Sequence, residues 1–327
     1  MPCYHPLKAW HVGYHDSGKD KYKITSYSTN YVKDALADSI DIPCGKCIGC
    51  RLDYSRQWAD RCMLELKNHK ESWFCTFTYD SDHLPINYRV NEETGEVTNA
   101  ATLCKRDFQL FMKRLRKNYA AKGKDNHLMY FCAGEYGDNT FRPHYHAIMF
   151  GLELDDLVLY KRTVDGYIYY NSEFLRSCWQ KGEVVITNVT WDTCAYTARY
   201  IMKKQYGSAA EVYEKYNIVP EFTLMSRKPA IGRVFYDENK GWIFDTDLIF
   251  IGTEKGSHSI KPPKYYRRLF DIDEPEQSAI MKEKNRIIAD DMKILKQSRT
   301  SLPYLQMLES EELNKEQRIK VLSRKEF

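Results

Sequence analysis

The clearest helical pattern in the chain runs from Lys105 to Tyr119. Apolar side chains recur there at spacings of three and four residues, and most of the positions between them are basic. This spacing places the apolar residues on one face of a helix. The apolar stripe consists of Phe108, Phe111, Met112, Leu115 and Tyr119. The pattern predicts an amphipathic helix that packs on a core and presents cations to solvent.

Alternating apolar and polar positions, rich in aromatic and β-branched residues, predict several short strands. These strands are Trp73–Tyr79, Leu128–Glu135, His144–Phe150 and Glu183–Val189. Turn residues predict hairpin connections. The turns lie at Thr94-Gly95, Gly137-Asp138-Asn139 and Asp165-Gly166. Connections this short favour antiparallel pairing of the strands that they join.

Further helices are predicted before, between and after these strands. They are Arg51–Lys70, a short helix ending near Trp179, and a helix capped by Thr190 or Asp192 that stops at Gly207. Strands are expected to dominate again from there to about Tyr266. From Asp271 onward the chain is charged, with the two signs nearly balanced, which is typical of a solvated helical tail.

Together these patterns predict an α+β fold with a central antiparallel sheet flanked by helices. A cysteine-rich N-terminal module precedes the sheet, and a helical C-terminal tail follows it. The predicted divisions are residues 1–70, 71–270 and 271–327.

Composition narrows the class of protein without deciding it. The chain has 327 residues, 43% of them hydrophobic, and a formal net charge of +4. That charge permits nucleic acid as a partner but does not argue for it. The N-terminus lacks the pattern of a signal peptide, and no stretch approaches eighteen consecutive apolar residues. The ten cysteines are therefore expected to be thiols or metal ligands in a reducing cytoplasm, with no membrane partner.

Two histidines two positions apart on a predicted strand share one face of the sheet. These are His144 and His146. If the preceding strand pairs across the turn, Glu135 reaches both imidazoles. Two histidines and a carboxylate can hold a divalent ion such as Mg²⁺ or Mn²⁺ and leave positions open for substrate oxygens. The alternative is that both histidines are ordinary structural residues.

Two tyrosines four residues apart on the following helix also share a face. They are Tyr196 and Tyr200, with Lys203 and Lys204 one turn beyond. A phenol, with a pKa near ~10, is a poor nucleophile until its phenolate is stabilised, and neighbouring lysines can do this. In a chain with 25 tyrosines, the alternative is that both rings belong to the core.

The N-terminal region contains a second candidate metal site. Cys44, Cys47 and Cys50 are evenly spaced, and Cys3 can supply a fourth ligand for tetrahedral Zn²⁺, with Cys62 or His5 as substitutes. An iron–sulfur site, a redox-active pair and simple buried or exposed thiols are the alternatives.

A run of cations and aromatic rings near residue 265 is the candidate surface for single-stranded DNA. Such runs combine phosphate contacts with base stacking. The candidate residues are Lys264, Tyr265, Tyr266 and Arg267, with Arg227 and Lys228 as further phosphate contacts. Plain solvated charge is the alternative.

The ordered motifs resemble those of the HUH endonucleases. The order is Phe77-Thr78-Tyr79, then Arg142-Pro143-His144-Tyr145-His146, then Tyr196-x-x-x-Tyr200-x-x-Lys203-Lys204. The two-tyrosine form is similar to replication initiators of small single-stranded DNA phages. The opening six residues and the stretch from Pro43 to Arg51 resemble the gokushovirus branch of the microviruses, and so do Gly134–Gly137 and Met225–Pro229. The resemblance extends from residue 1 to about 268.

This resemblance implies an HUH endonuclease fold with the histidines on a central strand and Glu135 as the third ligand of a Mg²⁺ or Mn²⁺ cofactor. It also implies rolling-circle replication, started by nicking single-stranded DNA at the phage origin through a 5′-phosphotyrosine. The sequence contains no Walker A motif, so a host helicase and polymerase are expected partners in the host bacterial cytoplasm. The competing hypotheses are a two-tyrosine transposase or relaxase, and a non-catalytic zinc-containing protein that binds single-stranded DNA.

Overall fold

A computed structural model describes residues 3–90, 92–125, 127–164, 166–199, 210–253 and 256–323. Contacts divide the chain into two compact units. One unit comprises Met1–Tyr54 and Leu269–Phe327, and the other comprises Ser55–Arg268. The three modules predicted from the sequence stay a prediction, because these units are defined by contacts alone.

The helices and strands follow one another in a mixed order. The strands are β1 (Leu7–Tyr14), β2 (Asp20–Ser26), β3 (Ile40–Ile42), β4 (Ser72–Thr78), β5 (Ile86–Val90), β6 (Val97–Ala101), β7 (Met129–Tyr136), β8 (Pro143–Phe150), β9 (Val158–Arg162), β10 (Ile168–Asn171), β11 (Val184–Asn188), β12 (Phe222–Met225), β13 (Ile249–Thr253) and β14 (Gly256–Ile260). The helices are α1 (Ile48–Leu66), α2 (Lys105–Ala121), α3 (Glu173–Trp179), α4 (Trp191–Arg199), α5 (Glu211–Lys215), α6 (Arg233–Thr246), α7 (Lys264–Asp273), α8 (Pro275–Gln297) and α9 (Tyr304–Ser323).

A seven-stranded sheet forms the centre of the 55–268 unit. Its strand order is β12-β7-β8-β4-β11-β10-β9, and each neighbouring pair is antiparallel. The predicted hairpins around residues 95 and 166 are present as β5–β6 and β9–β10. The predicted α+β class with a large antiparallel sheet and flanking helices is confirmed.

Helices cover both faces of this sheet. On one face, α2 and α3 pack on the strands through a cluster that includes Phe77, Phe111 and Trp179. On the other face, α1 and α4 pack on alternate residues of the same strands. This second cluster contains Trp58, Cys62, Phe74, Phe131, Ile148, Phe150, Cys194 and Ala198. Because side chains alternate along a strand, the residues that share a face with Ile148 include both histidines of β8.

The other unit contains a three-stranded sheet of order β2-β1-β3 together with α8 and α9. Lys293 on α8 donates hydrogen bonds to Tyr27 and Asp41, and Lys296 pairs with Glu311 on α9. The predicted helical tail is therefore confirmed, and the structure adds that one side of α8 is bonded to its own unit. None of the described helices is long and apolar enough to cross a membrane.

One prediction of secondary structure is wrong. Strands were expected to dominate up to Tyr266, but α6 occupies fourteen residues of that region. Its buried residues are Phe235, Tyr236, Ile243 and Phe244, which recur with helical rather than alternating spacing. Aromatic and β-branched residues favour strands only weakly, and here the helical spacing decides the structure.

Candidate active site

The pairing of β7 with β8 brings one carboxylate and two imidazoles together. Glu135 lies opposite His144 in the ladder, and Ala133 lies opposite His146. The Glu135 Oε1 atom is 2.7 Å from Nε2 of His144 and 2.9 Å from Nε2 of His146. The three ligand atoms all lie within 4.8 Å of one another. The expected contact between Glu135 and both imidazoles is present, and the group can hold a metal ion.

Each imidazole is oriented through its second nitrogen. Nδ1 of His144 lies 3.2 Å from the carbonyl oxygen of Arg142, and Nδ1 of His146 lies 3.0 Å from the Thr76 hydroxyl. These contacts orient both rings so that each Nε2 faces the Glu135 carboxylate. The ring of Phe74 stacks on His146 with centroids 5.5 Å apart. Contacts within the protein therefore orient both rings.

The charge of Glu135 is set by two opposing effects. Burial disfavours the carboxylate and raises its pKa, whereas the hydrogen bonds from His144 and His146 lower it. The hydrogen bonds prevail, so the pKa of Glu135 lies well below its usual value. The donor set is thus one carboxylate and two imidazoles, which suits a divalent cation with open positions for oxygen ligands.

Helix α4 places Tyr196 beside this group. Thr190 caps the helix, since its side chain accepts a hydrogen bond from the backbone N–H of Thr193 at 3.2 Å. The buried residues of α4 include Cys194, Ala195 and Ala198, whose small side chains let the helix lie close to the sheet.

The ring of Tyr196 meets His146 edge-on, with centroids 5.2 Å apart. It is 36% exposed, so a substrate can reach it from solvent. The other predicted catalytic residues, Tyr200, Lys203 and Lys204, lie outside the described residues.

The residue between the two histidines faces the opposite side of the sheet. Tyr145 is fully buried, and its hydroxyl bonds to both backbone polar atoms of Cys104 and to the Tyr79 hydroxyl. Tyr79 in turn donates to Asp107 at 2.8 Å. This network ties the centre of β8 to the start of α2. It therefore holds in place the strand that carries both imidazoles.

The four cysteines of the second candidate site also come together. The thiols of Cys3, Cys44, Cys47 and Cys50 lie within 4.8 Å of one another. The Sγ atoms of Cys3 and Cys47 are 3.9 Å apart, close to the ~3.8 Å edge of a tetrahedron with Zn–S bonds near 2.3 Å. Cys62, a suggested substitute ligand, lies instead in the core beside the large sheet.

Backbone N–H groups point at these sulfurs. Cys3 accepts from Cys44 at 3.2 Å, and Cys47 accepts from Tyr4 at 3.4 Å. Burial raises the pKa of Cys47, but backbone hydrogen bonds from Cys50 and Tyr4 outweigh it and lower the pKa to about 7. Burial raises the pKa of Cys3 to about 11. The positions of the four sulfurs allow the group to hold a metal ion, which binds cysteine as the thiolate.

The candidate DNA-binding run is only partly accessible. Tyr266 is fully buried, and its hydroxyl donates to the Gly232 carbonyl, so its assignment as an exposed base-stacking ring is wrong. Tyr265 lies against the Arg61 guanidinium at 4.1 Å, and Arg267 pairs with Asp247 at 2.7 Å.

The other cations of the proposed DNA surface are open to solvent. Lys264, Arg227 and Lys228 are exposed. Those three side chains are therefore accessible to phosphates.

The residues that orient the imidazoles were not predicted from the sequence. Thr76 and Phe74 lie on β4, which pairs with the histidine strand so that Thr76 faces His146. The alternation of β4 was visible, but its neighbour in the sheet was not. The motif noted there, Phe77-Thr78-Tyr79, contributes its two rings to the opposite face.

The comparisons with known proteins agree on a class, which is the replication-associated proteins of small phages. The chain is 32% identical to the "Replication-associated protein ORF2" of Spiroplasma virus 4, over 99% of this chain and 98% of the relative. It is 31% identical to the "Replication-associated protein VP4" of Bdellovibrio phage phiMH2K, over 85% and 79%. It is 30% identical to the "Replication-associated protein ORF4" of Chlamydia phage 1, over 57% and 45%.

A match to a family model defines the family of the chain. A family model described as "Replication-associated protein ORF2/G2P" matches residues 72–205, which span β4 through α4 and so include the histidines and Tyr196. The chain belongs to this family, and its relatives are replication-associated proteins of microviruses, which confirms the resemblance seen in the sequence. No solved structure matches the chain significantly.

Proposed function

We propose that this protein initiates rolling-circle replication of a phage genome by nicking single-stranded DNA at the origin with a tyrosine nucleophile. The observation that carries this proposal is the contact between Tyr196 and His146, whose ring centroids are 5.2 Å apart. A partly exposed phenol beside a group able to hold a divalent ion is the arrangement that phosphodiester cleavage requires. The family membership supports a role in replication over one in transposition.

The cleavage is an exchange of one phosphodiester for another. The phenolic oxygen of Tyr196 forms a bond to phosphorus, and the bond from phosphorus to the 3′-oxygen breaks. The phenol loses its proton, and the leaving oxygen gains one to become a 3′-hydroxyl. The 5′-phosphate stays on the tyrosine. Since the new bond retains the energy of the old one, the strand can be rejoined by the reverse reaction without ATP.

Each residue of the site has a distinct task in this reaction. Glu135, His144 and His146 hold the divalent ion, Mg²⁺ or Mn²⁺, which when bound polarises the phosphodiester and stabilises the charge of the transition state. Thr76 keeps Nε2 of His146 directed at the Glu135 carboxylate. Tyr200 supplies the second nucleophile, so that one link opens the strand while the other resolves it. Lys203 and Lys204 stabilise the phenolate and the flanking phosphate.

The remaining candidate residues bind DNA or stabilise the fold. Exposed Lys264, Arg227 and Lys228 contact phosphates of the single strand. The cysteine group holds a structural Zn²⁺. A host helicase and polymerase separate and copy the strands, because the sequence carries no Walker A motif of its own.

The test is a search for a covalent adduct on oligonucleotides that tile the origin region of the parent phage genome. With a 3′ label, the labelled DNA should become attached to protein when Mn²⁺ or Mg²⁺ is present but not with EDTA. With a 5′ label, the same reaction should release a shorter strand that a polymerase can extend. Tyr196→Phe and Tyr200→Phe should each remove one link, and the double variant should form none.

Two controls separate chemistry from folding. Tyr160→Phe changes a tyrosine that is 61% exposed on β9, so it should form adducts at the wild-type rate. His146→Ala should abolish cleavage yet still bind the oligonucleotide.

Adducts in the double Tyr→Phe variant would refute the nucleophile assignment. Binding without any adduct, in all metals and across all oligonucleotides, would favour a non-catalytic single-stranded DNA-binding protein. Cleavage at inverted repeats of a mobile element alone would favour a transposase or relaxase.

A further inference from the structure

Helix α8 carries a broad apolar stripe that is open to solvent. Six large apolar side chains on this 23-residue helix are between 46% and 68% exposed. They are Ile280, Ile287, Ile288, Met292, Ile294 and Leu295. Ile280, Ile287 and Ile294 follow one another at intervals of seven residues, as do Ile288 and Leu295. A seven-residue period keeps a stripe on one side of a helix over several turns and is typical of helices that pair with another helix.

The opposite side of the same helix is already bonded within its own unit. Ser278 is buried and donates to Asp271, Lys293 bonds to Asp41 and Tyr27, and Lys296 pairs with Glu311. Since successive residues of a helix turn by about 100°, these three positions lie roughly opposite the apolar stripe. The helix is therefore held in place without using its apolar face.

Two charged residues lie within the stripe itself. Lys284 and Asp291 project from the middle of the apolar face, seven residues apart, and both are exposed. Within the part of the chain that the structure describes, neither makes an ion pair, whereas the neighbouring Arg286 pairs with Glu283 and Asp290. Burying this apolar face against another protein surface would also bury one cation and one anion. That burial is unfavourable unless each charge meets an opposite charge on the other surface.

The stripe on one copy of α8 is complementary to the same stripe on a second copy that runs antiparallel to it. If two copies of α8 are laid antiparallel with their centre between Ile287 and Ile288, Lys284 of each copy lies opposite Asp291 of the other. The same alignment places Ile280 opposite Leu295, Met281 opposite Ile294, and Ile287 opposite Ile288. Five of the six exposed apolar residues thus meet an apolar residue, Met292 at the edge of the stripe lies opposite Glu283, and the two charges within the stripe meet their opposites.

We propose that this face of α8 is a homodimer interface in which two copies of the chain pair through antiparallel α8 helices. A two-fold symmetric contact requires a surface that complements itself, and the positions of Lys284 and Asp291 satisfy that requirement. A parallel pair would instead oppose lysine to lysine and aspartate to aspartate. The sign pattern therefore selects the antiparallel arrangement.

The test is sedimentation of the full-length chain over a range of concentrations, with charge-reversal variants. The wild-type protein should approach twice its chain mass of 38.6 kDa. Lys284→Glu and Asp291→Lys should each weaken the dimer by about tenfold or more, because two attractive contacts become repulsive. The double variant Lys284→Glu/Asp291→Lys should restore it. An equimolar mixture of the two single variants should form a heterodimer with both contacts attractive.

A matched control is Asp290→Lys, which makes the same charge change one residue earlier and off the stripe. It should leave the dimer intact. A wild-type chain that stays monomeric at its highest soluble concentration would overturn the proposal. So would a dimer that Lys284→Glu leaves unchanged, because the pairing would then use another surface. The nicking assay is independent of this result, since all of these variants retain every residue of the Tyr196 site.

Discussion

The two candidate metal sites are equally compact but are built in different ways. In each, the ligand atoms lie within 4.8 Å of one another. The carboxylate and the imidazoles project from two strands joined by a short turn, and the ladder between β7 and β8 fixes their register. The thiols come from the start of the chain, from the segment that leads into α1 and from the first turn of α1, and Cys3 is 41 residues from Cys44 in sequence.

This difference predicts how each site depends on its ion. The sheet site is supported by buried strands and by partners on the second nitrogen of each imidazole, so the surrounding protein orients its ligands. The cysteine site is supported chiefly by backbone N–H groups that point at sulfur. We therefore expect the 55–268 unit to fold without metal, whereas the unit with the cysteines needs its ion to keep its structure.

Removing a thiol should have the largest effect. Cys47→Ser is expected to lose the bound zinc and, with it, the fold of the unit formed by residues 1–54 and 269–327. Zinc binding to such sites contributes about 10–16 kcal/mol, which exceeds the net stability of many domains. Metal analysis of the purified protein and limited proteolysis of that unit measure the two effects.

Two variants serve as controls for this experiment. Cys104→Ser changes a thiol outside the group, and His144→Ala changes a ligand of the other site, so both should retain zinc. Equal zinc in Cys47→Ser and His144→Ala would contradict two separate sites.

The contrast also explains what could be predicted from sequence. The strands and the contact of Glu135 with both histidines were predictable, because alternation and a short turn together determine which residues face each other. Cys3 could only be suggested, since nothing in the sequence measures the distance from residue 3 to residue 44. Tyr266 was misassigned, because exposure depends on which helices pack around a ring. Thr76 was missed because its partner strand lies far away in sequence.

A smaller effect is expected when a partner of the imidazole is removed rather than a ligand. Thr76→Val keeps the shape of the side chain but removes the oxygen 3.0 Å from Nδ1 of His146. Loss of such a partner typically weakens metal binding or activity by roughly 10- to 100-fold. The Mn²⁺ concentration that gives half-maximal adduct formation should rise accordingly, while the melting temperature stays near that of the wild type.

Thr78→Val is the matched control on the same strand. Its hydroxyl bonds to the Glu183 carbonyl at 3.4 Å rather than to an imidazole. The Mn²⁺ dependence should therefore be unchanged. If both variants shift it equally, Thr76 does not act through His146.

The smallest effect is expected from Tyr145→Phe. This variant tests whether the geometry of the sheet site depends on the hydrogen-bond network on the other face of the sheet. The substitution removes the hydroxyl that bonds the backbone N–H and carbonyl of Cys104, at 3.0 and 2.9 Å, on the face away from the histidines. A buried N–H left without an acceptor costs about 1–3 kcal/mol, so chemical denaturation should show a loss of that size. The Mn²⁺ dependence should not change, because the imidazoles keep their own partners. Exposed Tyr160→Phe should alter stability by less than about 0.5 kcal/mol. A large shift in Mn²⁺ affinity for Tyr145→Phe would mean that the site relies on this back-face network for its geometry, and not only on the ladder between β7 and β8.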